Sequence, residues 1–211
     1  LPDDWVRKTF SITEWKLKKD LEGNSKILLD EPKNKRAIAT TRSFDYTYSD
    51  INYIKERIAT FAVSCAEKLR KQGSSCHVII VMLSSDRHKK ELEQHRVSKH
   101  ISLPYPTDSS LIISTQAVKA VEIIFKRGIK YKRAGVIVAG IAPTDNHQLD
   151  MFQSENPKHK PLMSAIDRIN KKYCADKIKL GSQDLERTWK MRQERLSPRY
   201  TTNINEIIKV K

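Results

Sequence analysis

Residues 35–143 are predicted to form an α+β sandwich, in which two helices cover one face of a four-stranded antiparallel sheet. Three observations predict it: a long helical stripe of apolar residues, a continuous apolar run after it, and a later segment where apolar and polar residues alternate. With shorter strand-like runs at both ends, they predict the order β-α-β-β-α-β, a split βαβ arrangement. A partly helical tail, 161–211, follows this domain.

The four strands are predicted from short runs rich in branched, small or apolar residues. The first spans Arg36 to Phe44 and the last Tyr131 to Ile141. Cys76 to Leu83 (CHVIIVML) is an apolar run interrupted by His77 alone, which is typical of a central strand covered by helices on at least one face. The third run alternates and predicts one solvent-facing side: Val97, Ile101 and Leu103 point one way, and Ser98, His100 and Ser102 the other.

The two helices are predicted from apolar residues that recur at steps of three and four. They span Asp50 to Arg70 and Asp108 to Arg127, with Asp108 as the N-cap of the second. Because both helices bury their apolar stripes on the same face, the other face of the sheet remains uncovered. In a basic domain, such a face is a natural surface for nucleic acid.

The flanking segments are predicted from their length and composition. Residues 1–24 contain two short helical pieces, too few to fold alone, and we expect them to be the end of a domain that lies upstream. Residues 25–34 and 144–160 are polar and lack a period, which indicates linkers. Residues 161–211 are predicted to be a small basic domain with one helix, Pro161 to Tyr173.

The charge is concentrated in the predicted sheet domain. The chain carries a net charge of +15, and residues 33–143 hold 20 basic and nine acidic side chains, a net of +11. A basic domain indicates a polyanionic partner, most commonly nucleic acid, whereas a lysine-rich solvated surface is the alternative. No run of about 18 apolar residues is present, so a membrane span is excluded. Three cysteines without paired spacing, and no leader-like start, indicate reduced thiols in a cytoplasm.

Residues for catalysis or metal binding are not found in the sequence. It has no glycine-rich phosphate loop, no paired carboxylates on a rigid element, and no nucleophile beside a base. Asp145 and Asp150 fall in a linker, whereas two-metal phosphoryl transfer needs carboxylates on rigid elements. We therefore expect this chain to have no catalytic residue, bound metal or cofactor.

Candidate phosphate-binding residues lie in the first strand and near the ends of two others. Hydroxyls and guanidinium groups there can reach phosphate oxygens, which positions a duplex without reading its sequence. The candidates are Arg36, Thr40, Thr41, Arg42, Ser43, Lys99, Lys132 and Arg133. Alternation in the first strand puts Arg36, Thr40 and Arg42 on one face, and the small residues Ala37, Ala39 and Thr41 on the face predicted to lie under the helices. The alternative is that these are surface cations at strand ends.

A short apolar peptide, Gln148-Leu149-Asp150-Met151-Phe152, interrupts the polar linker. Large apolar residues in such a setting indicate a docking peptide. It resembles the bacterial sliding-clamp motif Gln-Leu-x-Leu-Phe, in which Gln148, Leu149, Met151 and Phe152 would make the contacts. The alternative is an apolar patch that packs back on the sheet domain.

The motifs together resemble the C-terminal half of UmuC-type Y-family DNA polymerases, the ImpB/MucB/SamB family. The run KRAIATTRSF is similar to the opening strand of that family's little finger domain, and QLDMF lies where a clamp motif follows it. VRKTFSITEWKLKKDLEG is similar to the end of the family's thumb. WKMRQERLSPRYTT resembles part of the short domain that ends many UmuC-like proteins.

The resemblance implies a part of an error-prone translesion polymerase that acts in the SOS response to DNA damage. The palm, which holds magnesium, and the fingers would lie upstream, so this fragment is expected not to be an enzyme although its parent is a DNA-directed DNA polymerase. Residues 1–24 would be the end of the thumb, and 35–143 the little finger, which grips damaged or primer-template DNA through backbone phosphates. The implied partners also include the sliding clamp, a UmuD′-like dimer and a recombinase filament, but no membrane.

Two other functions remain open from the residues alone. The first is a stand-alone nucleic-acid-binding module of RRM-like topology, although the central strand lacks the aromatics on which such modules stack bases. The second is an interaction protein built around the clamp peptide, which leaves the charge of +11 in residues 33–143 unexplained.

Overall fold

The structure, a computed structural model, describes residues 1–26, 33–89, 91–144, 156–173, 177–186 and 195–208. The chain divides into two units, Leu1–Lys35 and Arg36–Lys211. Within the described ranges, no helix has the length and the apolar character needed to cross a lipid bilayer.

Two short helices form the first unit: α1, Asp3–Thr9, and α2, Ile12–Leu21. Ser11 caps α2 by accepting a hydrogen bond from the Thr13 N–H at 3.1 Å. The Asp3 carboxylate accepts from Lys18 Nζ at 2.5 Å and from Lys19 Nζ at 2.7 Å, and these two ammonium groups lower the pKa of Asp3. Of the side chains in the two helices, only Val6 is buried, so the pair forms no core of its own.

The second unit contains the predicted β-α-β-β-α-β order. Its elements are β1 Ile38–Tyr48, α3 Ile51–Lys71, β2 Ser74–Ser85, β3 Arg96–Thr107, α4 Ser110–Ile124 and β4 Tyr131–Pro143. Beyond them lie α5, His159–Lys172, and a short 3-10 helix, Ile204–Glu206. The α+β fold class is therefore confirmed, with strands that run longer than the apolar signals alone indicated.

The sheet is antiparallel throughout, with the strand order β1-β4-β2-β3. The long apolar strands β2 and β4 are central, because only central positions can pair every residue and bury a nearly continuous apolar run. Pro104 and Pro106 lie in β3, an edge strand, where a residue without an N–H is tolerated. Gly73, with φ at 65°, ends the helix–strand turn after α3 in a conformation that favours glycine.

The core lies between the sheet and the two helices on one of its faces. From α3 it includes Ile54, Ile58, Phe61, Cys65 and Leu69, and from α4 Ile113, Ala117 and Val121. The sheet contributes Ile79, Val81, Val136 and Val138, all with no exposed surface. The apolar stripe predicted for α3 is thus the stripe that is buried.

The predicted N-cap of α4 is wrong by one residue. The cap is Ser109, not Asp108, and α4 ends at Ile124, three residues before the predicted end. Asp108 instead turns towards α3, where its backbone carbonyl accepts a hydrogen bond from Arg70 Nη1 at 2.7 Å. Burial raises the pKa of the Asp108 carboxyl, and the nearby Arg70 partly offsets this.

Candidate nucleic-acid interface

The sheet face that lies away from α3 and α4 is the candidate interface. Pleating sends alternate residues to opposite faces, so the residues between the buried ones form this open face. In its centre are half-buried apolar residues of β2 and β4: Val78, Ile80, Met82 and Ile137. At its margins are hydroxyl and basic residues of β1, β3 and β4: Thr41, Ser43, Arg96, Ser98, His100, Ser102 and Arg133.

Among the positions that the strand registers place on the open face, none is acidic, and the exposed Asp45 of β1 lies beyond Ser43, where the regular pairing with β4 ends. By register, the remaining positions of the face are Ala39, Ser84, Gly135 and Ala139. The face therefore presents several hydroxyls and two of the guanidinium groups of a segment that has 20 basic and nine acidic side chains in all. A polyanion that approaches the paired positions of this surface meets guanidinium groups and hydroxyls, which favours electrostatically steered association.

One margin brings three predicted residues together. Thr41 and Ser43 of β1 lie beside Arg133 of β4, which pairs with Ser43 in the register and places Nη2 3.5 Å from Thr41 Oγ1. Gly135 lies opposite Thr41, and the absence of a side chain there lets the two strands pack closely. The two hydroxyls and the guanidinium at this margin of the sheet are the types of donor that bind phosphate oxygens.

The facing predicted for β1 is wrong. Ile38 and Phe44 are buried under the helices, and Thr40 Oγ1 accepts hydrogen bonds from Lys68 Nζ at 3.1 Å and Cys65 Sγ at 3.3 Å, both on α3. Thr40 and Arg42 therefore share the helix side, whereas Ala39 and Thr41 lie on the open face. Burial of Ile38 and Phe44 determines which face of β1 packs against the helices, because burying these two large apolar side chains is worth more than burying the small residues of the other face.

The other predicted residues do not join this cluster. Arg36 is exposed just ahead of β1, and Lys132 Nζ donates to the Asp45 carbonyl at 2.7 Å, which joins β4 to the end of β1. Lys99 pairs with Val81 and so lies on the helix side of β3, the opposite edge of the sheet. Three strand spacings separate the two edges, about 14 Å.

Sequence reasoning missed two basic residues of this region. Arg96 pairs with Ser84 on the open face, and the alternation of Val97 to Leu103 would have indicated it if extended by one residue. Lys68 contacts Thr40 across 28 positions of sequence, and no local pattern connects them.

The predicted clamp-binding residues Gln148, Leu149, Met151 and Phe152 lie outside the described residues. Within the described ranges, no group of three His, Cys, Asp or Glu side chains could hold a metal ion. The lack of a cofactor and the role of the clamp peptide therefore stay predictions.

Comparison with known families decides the relationship of the chain. The profile described as the impB/mucB/samB family C-terminal domain matches residues 35–151, more than half of the 211 residues. The chain belongs to the impB/mucB/samB family. The resemblance to UmuC-type proteins is thus confirmed, and the open sheet face is a feature of this C-terminal domain. A second profile, a domain of unknown function called DUF4113, matches residues 160–210.

Individual relatives cover nearly the whole chain. Protein UmuC of Salmonella typhimurium is 28% identical over 209 residues, which are 98% of this chain and 50% of that protein. Protein MucB of Escherichia coli is 30% identical over 205 residues, 96% of this chain and 48% of that protein. The chain therefore spans about half the length of the curated relatives it matches.

Among solved structures, the insertion ternary complex of Dbh DNA polymerase is similar at a TM-score of 0.42 and 15% identity. The overlap covers 67% of this chain and 39% of that one. A similarity at this level carries no argument about function.

Proposed function

We propose that this chain is the DNA-gripping and clamp-tethering region of an error-prone translesion DNA polymerase. Residues 35–143 hold primer-template duplex, and Gln148 to Phe152 dock on a bacterial sliding clamp. Membership of the impB/mucB/samB family supports the polymerase assignment. The open face, with Thr41, Ser43 and Arg133 at its margin and no acidic residue among its paired positions, is the observation that supports the DNA grip.

The composition of the open face favours contacts to the DNA backbone. Its centre is made of Val78, Ile80, Met82 and Ile137, whose side chains have no hydrogen-bond donor to offer a base edge. Its polar groups lie at the margins, where hydroxyls and guanidinium groups bind phosphate oxygens of any sequence. Binding should therefore be sequence-neutral and strongly dependent on salt.

The chemistry of nucleotide addition belongs, in this proposal, to carboxylates and magnesium in the parent polymerase. The present chain contributes position: it holds the duplex near the active site and keeps the enzyme at the clamp. A UmuD′-like dimer and a recombinase filament are further partners that the family relationship suggests.

The test is binding to primer-template duplex by fluorescence anisotropy at several salt concentrations, with single-stranded DNA of the same length in parallel. Arg133→Ala should weaken duplex binding and reduce the slope of log K against log salt by about one. Lys119→Ala, which removes one exposed cation from α4 on the helix side, is the matched control and should change neither. Arg133→Lys, which preserves the charge, should retain the slope. Equal losses in Arg133→Ala and Lys119→Ala would contradict the open-face assignment.

The RRM-like alternative is not favoured, because the paired positions of the open face hold no phenylalanine, tyrosine or tryptophan on which bases could stack, and the one ring among them, His100, lies on the edge strand β3. It predicts tighter binding to single strands than to duplex, so the same titrations decide between the two.

A further inference from the structure

The part of the chain that follows the linker packs on the sheet domain. Residues 156–173 and 177–186, named here the strap, lie along α3 and the start of α4. His159 Nδ1 lies 3.1 Å from Ser109 Oγ, and Ser182 Oγ lies 3.3 Å from Ser114 Oγ. The strap therefore belongs to the same unit as the sheet, although the sequence indicated a small domain apart from it.

The strap follows a second stripe of α3. On this helix, Arg57, Thr60 and Arg70 make hydrogen bonds to the strap, and Val63 and Glu67 line a cavity that strap residues also line, so the five positions are spaced by three or four residues. This stripe lies on the side of the helix away from the one that packs on the sheet, since the two differ by about half a turn. The helix α3 is thus held between the sheet and the strap.

Two arginine–aspartate pairs join the strap to α3, one from Asp167 within α5 and one from Asp184 near the end of the strap. Arg57, 1% exposed, pairs with Asp184, whose N–H donates to Thr60 Oγ1 at 3.3 Å. Arg70 makes a two-pronged pair with Asp167, with Nε and Nη2 at 2.6 and 2.8 Å from its two oxygens. The hydrogen bonds of such pairs are directional, and removing the carboxylate from a buried arginine strongly destabilises the folded protein. They therefore specify where the strap lies.

The apolar contribution of the strap is small by comparison. Met163 is the buried residue of α5, and it lies outside the continuous core of 24 buried residues that joins the sheet to α3 and α4. The other buried residues of the strap are polar, Gln183 and Asp184. Because apolar burial is the main stabilising term in folding, opening the strap costs much less than unfolding the sheet domain.

We propose that the strap is a releasable intramolecular segment: it docks on α3 through the Arg57–Asp184 and Arg70–Asp167 pairs and opens while the sheet stays folded. The helix side of the sheet domain is thereby a protein-docking surface whose occupant is the strap of the same chain. This assigns a role to a segment within the profile of unknown function, and it does not depend on DNA binding.

The test is amide hydrogen exchange on the whole chain. In the unaltered protein, amides 163–172 of α5 should exchange faster than those of β2 and β4. The double variant Asp167→Asn/Asp184→Asn should raise exchange in α5 at least tenfold and leave β2 and β4 unchanged. Glu122→Gln, which removes the exposed Lys55–Glu122 pair between α3 and α4 at 2.7 Å, is the matched control and should affect neither region.

Two results would overturn the proposal. Unchanged exchange of α5 in the double variant would show that the pairs do not hold the strap. Equal acceleration of α5, β2 and β4 would show that the strap opens only with the sheet. If Asp184→Asn prevents folding, Asp167→Asn alone, at the less buried pair, gives the same comparison.

Discussion

Gly135 of β4 faces Thr41 of β1 so closely that a β-carbon at position 135 would lie 2.8 Å from the Thr41 Cβ. The edge strand β1 pairs here with the central strand β4, at the margin where Ser43 and Arg133 also lie. A side chain at position 135 would therefore separate β1 from β4 at the candidate interface.

Gly135→Ala should lower the free energy of unfolding by about 1–3 kcal/mol, because the added methyl group overpacks a position that has no room for it. Urea unfolding measures this directly. Gly181→Ala is the control: a Cβ there meets no atom within 4 Å, and we expect a change within about 0.5 kcal/mol. Equal stability of the two variants would show that β1 shifts without cost.

Arg42→Ala should weaken duplex binding by a similar factor for every DNA sequence and flatten the salt slope by about one. Arg42 is exposed between Thr41 and Ser43; its side chain leaves β1 on the helix side, but β1 is an edge strand, so the guanidinium lies beside the candidate phosphate donors, whereas Lys119 lies on α4, which packs on β2 and β3. The measurement is anisotropy across a salt series, with Arg42→Lys as the charge-preserving control. If the alanine variant binds like the unaltered protein at all salt concentrations, Arg42 makes no phosphate contact.

Met151→Ala/Phe152→Ala should reduce affinity for a bacterial sliding clamp by about 30- to 1,000-fold, equivalent to roughly 2–4 kcal/mol. Few large apolar anchors supply most of the energy of such peptides, and methionine adapts to an irregular pocket. Asp150→Ala is the control and should matter little, because its position is the variable one in the motif. Calorimetry on the three proteins checks this, and equal affinity in the double variant would remove the clamp assignment.

Cys65 and Cys76 should resist alkylation in the folded protein. Burial raises the pKa of both thiols, that of Cys76 from 9.0 to about 12. A raised pKa favours the neutral thiol, so at pH 8 the reactive thiolate of Cys76 is about a thousandfold scarcer than in the unfolded chain.

Iodoacetamide labelling followed by mass spectrometry, in a Cys174→Ala background, measures this resistance. Labelling in buffer should be more than a hundredfold slower than in urea. Labelling at the urea rate would mean that the β-sheet core around Cys76 opens readily.

The fold was predictable because its signals are local. The stripe from Ile54 to Leu69, the apolar run of β2 and the alternation of Val97 to Leu103 each lie within one element and depend on its own period. The face of β1 that packs on the helices was not predictable from the sequence. Both faces of the strand contain residues that can be buried, and Ile38 and Phe44 are seen to fill the core only when the helices are in place. The Arg57–Asp184 pair joins residues 127 positions apart, and no local pattern relates them.

The candidate site was predictable in part for the same reason. Thr41, Ser43 and Arg133 were found as residue types suited to phosphate, but their meeting depends on the pairing of β1 with β4. Lys99 had the same local character and lies at the other edge, since strand order is a property of the whole sheet and not of β3.

The strand order also determines when each strand pair can form during synthesis of the chain. In the sheet, β1 pairs with β4 alone, and the pairing of Ile38 with Val138 joins residues 100 positions apart. At about 5–20 residues per second, a ribosome needs roughly 5–20 s to make the intervening chain. Throughout that interval the nascent β1 has no partner strand, so the margin with Thr41, Ser43 and Arg133 cannot assemble until β4 has been made. A polypeptide released before Tyr131 would contain every residue of β1 and still lack the strand that completes this margin.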